Sequence, residues 1–167
     1  MGKIRNAELD DAPHILSIFQ QGDSVINGTQ RNDNISLIDV MDWLENATDK
    51  HPMLVFEEAE NIIAWCSIEP FYGLPAFDTA SEISLYVSPQ WQAKGIGKKL
   101  IQYLEIQQAS IGFTHLVAYI YASNTKSQTF FEKQTFQQWG SLPKIAQQQN
   151  EREDVYLYGK IYGASDS

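Results

Sequence analysis

The chain has 167 residues, of which 43% are hydrophobic and 20% charged, with a formal net charge of −9. That length suits one domain with a substantial core, read here as running over residues 1–167. An acidic chain repels phosphate backbones, which excludes nucleic acid as an expected partner, and its field slightly favours cationic or amine substrates. Cysteine occurs once, at Cys66, so no internal disulfide is possible and nothing points to an oxidising compartment. The N-terminal stretch MGKIRNAELDD has no apolar signal core, and no segment approaches the length of a membrane span. Met1-Gly2 superficially suggests myristoylation, but Asn6 stands where that motif wants Ser or Thr. A cytoplasmic protein without a membrane partner is expected.

Lys3 to Ala7 alternates weakly and reads as a first strand. Asp10 or Asp11 offers an N-cap and Pro13 suits a first helical turn, with Ala12, Ile15, Leu16 and Phe19 at helical spacing. The polar stretch QGDSVINGTQRNDN reads as a loop bordering a site. Ser36 is a candidate cap for a second helix, with Leu37, Ile38, Met41 and Leu44 on one face. MLVFEE and NIIAWCSIE are strand-like runs joined through Ala59 and Glu60 as a hairpin. FYGLPAFDTAS is an aromatic loop, and EISLYVS is a strand closed by Pro89. Gly95 to Ile111 is the strongest helix: Ile96, Leu100, Tyr103, Leu104 and Ile111 form its stripe and Gly112 stops it.

Farther on, HLVAYIY reads as a buried strand, Asn124 to Gln134 as a helix, and FQQWG as a short strand. AQQQNERE reads as a polar loop, and Asp154 to Tyr162 as a closing strand. This order of strands and helices defines a mixed α/β domain.

The stretch QAKGIGKKL, Gln92 to Leu100, sets two glycines and three lysines at the junction of a strand and a helix. A helix N-terminus after a glycine turn presents free N–H groups and partial positive charge, which suits a phosphate. The nucleoside-triphosphate loop is excluded, because its glycines lie farther apart and a hydroxyl residue must follow the lysine. The dinucleotide fingerprint is excluded because Leu100 stands where its third glycine belongs. What fits is Gln-x-x-Gly-x-Gly, here Gln92, Ala93, Lys94, Gly95, Ile96 and Gly97.

EISLYVSPQWQAKGIGKKLI and NTKSQTFFEKQTF together resemble the two signature segments of the GNAT superfamily of N-acetyltransferases, and the resemblance runs from KIRNAELDDA to DVYLYGKIY. Within it the chain resembles the phosphinothricin- and methionine-sulfone-type branch, through Glu82, HPMLVFEE and the segment from Trp65 to Val87. The resemblance implies a mixed, mostly antiparallel sheet with helices on both faces, acetyl-CoA as co-substrate, and a homodimer. It implies that Glu82 acts as base toward the acceptor amine, and that Val87 offers its N–H to the thioester carbonyl. Leu85, Tyr86 and Val87 would hold the pantetheine arm. Gln92, Ala93, Lys94, Gly95, Ile96, Gly97, Lys98 and Lys99 would hold the pyrophosphate, and Asn124 with Ser127 would contact the same molecule.

Read without the resemblance, Glu82 is a solvated strand-end carboxylate, Asn124 an N-cap and the lysines a solvated helix edge. Thr135 stands where the pattern has glycine, a departure that affects only a turn, and two further departures bear on the chemistry. Phe131 occupies the place of a tyrosine whose hydroxyl protonates the departing thiolate, so Phe131 is expected to pack on the coenzyme arm, with Tyr86, Tyr119, Tyr121 or water as alternative acids. The branch's late acceptor-site stretch survives only as Asp154-Val155.

Phe71 and Tyr72 in the aromatic loop, and Arg31 and Asn27 in the early loop, are the acceptor-site candidates. Cys66 has no paired histidine and reads as core. His14, His51 and His115 lack metal-ligand spacing, so no metal is expected. The expectation is N-acetylation of a small primary amine, an amino acid or analogue, in a ternary complex. Its rivals are acetylation of protein N-termini or lysines, and a coenzyme-A-binding module without catalysis.

Overall fold

In the computed structural model, residues 2–27, 35–148 and 150–163 are described. Seven strands form one sheet: β1 (Lys3–Asn6), β2 (Met53–Glu58), β3 (Asn61–Pro70), β4 (Ala80–Val87), β5 (His115–Tyr121), β6 (Gln137–Gln148) and β7 (Glu151–Ile161). Their order across the sheet is β1-β2-β3-β4-β5-β7-β6. Every neighbouring pair is antiparallel except β4 and β5, which run parallel. The helices are α1 (Ala12–Asn27), α2 (Leu37–Asn46), α3 (Ile96–Ile106), α4 (Gln108–Ile111) and α5 (Thr125–Lys133).

Alternation along the central strands divides the core between the two faces. Leu54, Phe56, Ala64 and Cys66 point to one face, where Leu100, Leu104 and Phe131 of α3 and α5 cover them. Met53, Val55 and Trp65 point to the other, beneath Ile15 and Phe19 of α1 and Val40 of α2. The expected mixed, mostly antiparallel sheet with helices on both faces is therefore what forms. No helix among the described residues is long and apolar enough to cross a membrane.

Ala59 and Glu60 both take left-handed backbone angles, φ 52° and 68°, as a two-residue hairpin turn between β2 and β3 requires. Gly112 at φ 100° ends α4, and Gln107 divides the expected long helix into α3 and α4. Ser36 precedes α2, its N–H and Oγ both donating to Asp39 Oδ2 at 2.8 and 3.1 Å.

Four expectations need correction. The helix α1 runs on to Asn27 where a loop from Gln21 was expected; a single interior glycine such as Gly22 costs only about 1 kcal/mol, too little to stop a running helix. The buried side of α2 centres on Val40, leaving Leu37 and Ile38 40% and 70% exposed. The strand β4 starts at Ala80, so Glu82 is its third residue rather than its first.

The fourth correction concerns the polar segment before the last strand. It lies within a long β6–β7 ribbon, pairing Ala146 with Glu153, Gln147 with Arg152 and Gln148 with Glu151. This ribbon extends past the core, so backbone pairing forms it without any apolar alternation, and Arg152 donates to Gln147 Oε1 at 2.8 Å.

Candidate active site

The parallel strands β4 and β5 pair only at their starts: Ala80 with His115, Ser81 with Leu116 and Glu82 with Val117. Beyond Glu82 they part. Antiparallel pairing alternates which residues bond to a given neighbour. Phe71 donates to Ala80 O and Ser88 donates to Ile63 O, so even-numbered residues of β4 bond to β3. The N–H groups of Leu85 and Val87 therefore turn the other way, into the gap left by β5. That gap opens into a cleft of about 810 Å³, bordered by Glu82 to Val87, Ala118 to Tyr121, the start of α3 and the inner side of α5.

At one end of the cleft, Ala93 at φ 62° and Gly95 at φ 82° turn the chain sharply into α3. Lys99 is the first residue of the helix whose N–H finds a carbonyl, that of Gly95, at 3.1 Å. The N–H groups of Ile96, Gly97 and Lys98, residues that all border the cleft, have no acceptor within the helix. Nothing lies within 4 Å of where a Gly95 side chain would sit. This turn, with Lys98 beside it, fits a pyrophosphate: free donors, the positive end of a helix and open space above a left-handed glycine.

The two glycines serve different purposes. Gly95 is needed for its backbone angle. A Cβ at Gly97 would instead lie 2.9 Å from the Phe130 ring of α5, so Gly97 allows α3 and α5 to close on each other. Gln92 braces the same loop by donating Nε2–H to Val87 O at 3.1 Å.

Side-chain alternation places Glu82, Ser84 and Tyr86 on the α1–α2 side of the sheet, opposite to Ile83, Leu85 and Val87. Glu82 is half-buried where the strands part, and burial raises its carboxyl to about 7, with the charge of Glu69 a secondary cause. Glu69 is its direct partner across β3 and β4. Glu69 escaped the sequence reading because a loop of unknown length separates the two strands; only the register reveals the pairing.

Of the remaining expected residues, Asn124, Ser127 and Phe131 all border the cleft. Asn124 caps α5, its Oδ1 accepting from the Ser127 N–H at 3.1 Å. Phe131 is buried and meets Phe130 and Phe136 edge-on at 5.1 and 5.0 Å. Lys94 and Lys99 are not among the cleft residues. The Lys94 ammonium sits over Trp91 at 5.4 Å, and that of Lys99 over Phe56 at 6.0 Å, near Gly2 and Ile4.

Phe71 and Tyr72 also stay outside the cleft and pack on Phe77 at 6.2 and 5.4 Å. Asn27 ends α1, and its side chain, like Arg31, lies outside the described residues. Cys66 is fully buried and its thiol is pushed far above its ordinary range, as a core residue rather than a nucleophile.

A sheet split between two parallel strands, with a helix N-terminus at one end of the split and a carboxylate at the other, is the frame of an acyl-transferring enzyme. The chain belongs to the Acetyltransferase (GNAT) family, whose pattern it matches over residues 16–136, and is an N-acetyltransferase of that family.

It is 31% identical to YwnH of Bacillus subtilis (strain 168), provisionally named a phosphinothricin acetyltransferase, over 94% of this chain and 97% of that one. It is 25% identical to the L-methionine sulfoximine/L-methionine sulfone acetyltransferase of Pseudomonas aeruginosa (strain PAO1), over 86% and 85%. Among solved structures, one provisionally named a phosphinothricin N-acetyltransferase superposes with a TM-score of 0.87 at 28% identity, covering 98% and 100% of the two chains. The yncA protein of Salmonella typhimurium, solved with acetyl-CoA, superposes at 0.86 with 23% identity, covering 100% and 97%. The chain is thus distantly related to acetyltransferases of amino acids and their analogues.

Proposed function

We propose that the protein uses acetyl-CoA to acetylate the primary amine of a small molecule, an amino acid or a close analogue, by direct transfer in a ternary complex. The observation that carries this reading is the placement of Glu82. It stands at the fork of β4 and β5, with a carboxyl at about 7, three residues before the gap-facing N–H of Leu85 and five before that of Val87.

The bound donor supplies an activated acetyl thioester. The free N–H groups of α3 and the Lys98 ammonium hold its pyrophosphate, and the fork admits its arm between the strands. Glu82 accepts a proton from the acceptor amine, directly or through water, so that the nitrogen lone pair is free to attack. As charge builds on the carbonyl oxygen, the fixed N–H groups of the gap stabilise it. Leu85 lies ~10 Å from Glu82 along the strand and Val87 ~17 Å, so Leu85 is the better matched to an amine that Glu82 also serves. A covalent acyl-enzyme is disfavoured, since Cys66 is sealed in the core and, among the described residues, no activated nucleophile borders the cleft.

The test is coenzyme A release with a panel containing L-methionine sulfoximine, L-methionine sulfone, phosphinothricin and simple aliphatic amines. At least one should turn over, and Glu82→Gln should lower kcat by ~100-fold or more. Failure of the protein to bind coenzyme A at all would overturn the reading.

A further inference from the structure

Transfer of the acetyl group leaves a thiolate that must gain a proton, and Phe131 has no hydroxyl to give. Resting on the acetyl-transfer reading above, we propose that Tyr119 supplies that proton.

The argument begins with position. Glu82 and Val117 are the last paired residues of β4 and β5. Tyr119 lies two residues beyond Val117, so it is the next residue of β5 on the same face, level with Ser84 at the mouth of the fork. Along β5, Leu116, Ala118 and Ile120 belong to the core beneath α3 and α5. Tyr119 therefore faces the α1–α2 side with Glu82. Along the strand it stands ~7 Å past Glu82 and ~3 Å short of Leu85, between the base and the N–H that the acetyl carbonyl would meet.

Availability is the second point. Three tyrosines border the cleft: Tyr86, Tyr119 and Tyr121. The ring of Tyr86 lies flat on Trp65, 4.9 Å between centroids and 20° between planes, with Phe19 against its edge at 5.0 Å. Neither Tyr86 nor Tyr121 is free of further interactions. Tyr119 is 41% exposed and makes no hydrogen bond to a described residue. Burial and the charge of Glu82 both hold its hydroxyl in the protonated form, the form an acid must have.

Counted from the neutral amine, once Glu82 has passed the ammonium proton on to solvent, the protons then balance without any other participant. Glu82 takes a proton from the acceptor amine while the carbon–nitrogen bond forms. The carbon–sulfur bond breaks as Tyr119 gives its proton to sulfur, and the tyrosinate recovers a proton from Glu82. One proton has moved from nitrogen to sulfur, and both side chains have returned to their starting states. Among the described residues, the titratable groups on the face of Tyr119 are Glu82 and Tyr86 across the fork, Glu69 behind Glu82, and His115 and Tyr121 on its own strand; β7 presents Leu157 opposite it.

The experiment compares wild type, Tyr119→Phe and Tyr121→Phe under saturating acetyl-CoA and the best amine of the panel, with coenzyme A affinity measured separately. Tyr119→Phe should lower kcat by at least tenfold, leaving the KM for acetyl-CoA and coenzyme A affinity within twofold of wild type. Tyr121→Phe should lower kcat by less than Tyr119→Phe does. An unchanged kcat in Tyr119→Phe would overturn the proposal and assign the proton to water. So would a loss appearing mainly as weaker coenzyme A binding or a lowered Tm, since Tyr119 would then be packing rather than reacting. A wild-type protein that binds no coenzyme A would instead overturn the acetyl-transfer reading itself.

Discussion

Glu69 and Glu82 stand directly opposite each other on β3 and β4, on one side of the sheet, the first exposed and the second half-buried. Burial is the main cause that raises the Glu82 carboxyl from its ordinary 4.5 to about 7, and the Glu69 charge adds to it. A Glu82 that acts as the proposed base must be ionised, so kcat/KM should climb as pH rises through about 7. Removing the neighbouring charge with Glu69→Gln should move that midpoint to lower pH, which a pH–rate profile of both proteins checks.

The same shift has a consequence for stability. A carboxyl whose folded value lies above its unfolded value favours folding below the unfolded value, and this contribution is lost as pH rises through about 7. Glu82→Gln should therefore raise Tm at pH 8, by about 2 °C, and leave it nearly unchanged at pH 4. Thermal melts at the two pH values decide this without any substrate.

The two glycines of the turn should fail in different ways. Gly95→Ala forces a side chain into a left-handed angle, at about 1–2 kcal/mol, with no clash. Its main effect should be weaker coenzyme A binding. Gly97→Ala drives a methyl group into the Phe130 ring and should cost about 1–3 kcal/mol of stability. Chemical denaturation and binding calorimetry on both variants separate the effects, and Phe130→Leu should restore part of the stability of Gly97→Ala.

Lys98 and Lys99 are neighbours in sequence with opposite surroundings: Lys98 borders the cleft, and Lys99 lies over Phe56 outside it. Lys98→Ala should raise the KM for acetyl-CoA several-fold, with a weaker dependence on salt. Lys99→Ala should leave it within twofold. Initial rates at two ionic strengths are sufficient.

Gln92 ties the turn to the end of β4 through the Val87 carbonyl. Gln92→Ala removes that bond, a change of about 1 kcal/mol, and loosens the loop that positions the α3 donors. Coenzyme A affinity should fall several-fold while kcat at saturation changes little. Calorimetry beside steady-state rates shows whether it does.

Much of the frame was legible in the residues themselves. The β2–β3 hairpin announced itself by two apolar runs two residues apart, and the α3–α4 stretch by its stripe and by Gly112. The outer part of the β6–β7 ribbon, around Ala146 and Glu153, was not legible, because strands that leave the core have no burial to impose a period of two. The buried side of α2 was misread for a related reason. Leu37 and Ile38 are as apolar as Val40, and only the position of Phe19 and Trp65 decides which of them is covered.

At the site, local chemistry was readable and registration was not. The turn from Gln92 to Gly97 and the cap at Asn124 depend on neighbours in sequence, and both border the cleft. The Glu69–Glu82 pair, the selection of Tyr119 among three tyrosines and the different roles of Gly95 and Gly97 depend on which strands and helices come together. Phe71 and Tyr72 illustrate the same limit, since their aromatic character does not reveal that Phe77 occupies them.

The flat contact of Tyr86 on Trp65 gives the molecule an optical property. Trp65 lies 6.2 Å from Trp43, and Trp91 borders the cleft directly, so three of the four tryptophans lie within two rings of it. The fourth, Trp139, lies on the edge strand β6 and sits against His115 of β5. Intrinsic emission is therefore weighted toward the cleft, and a ligand entering the fork should be visible as a change in tryptophan fluorescence without any label.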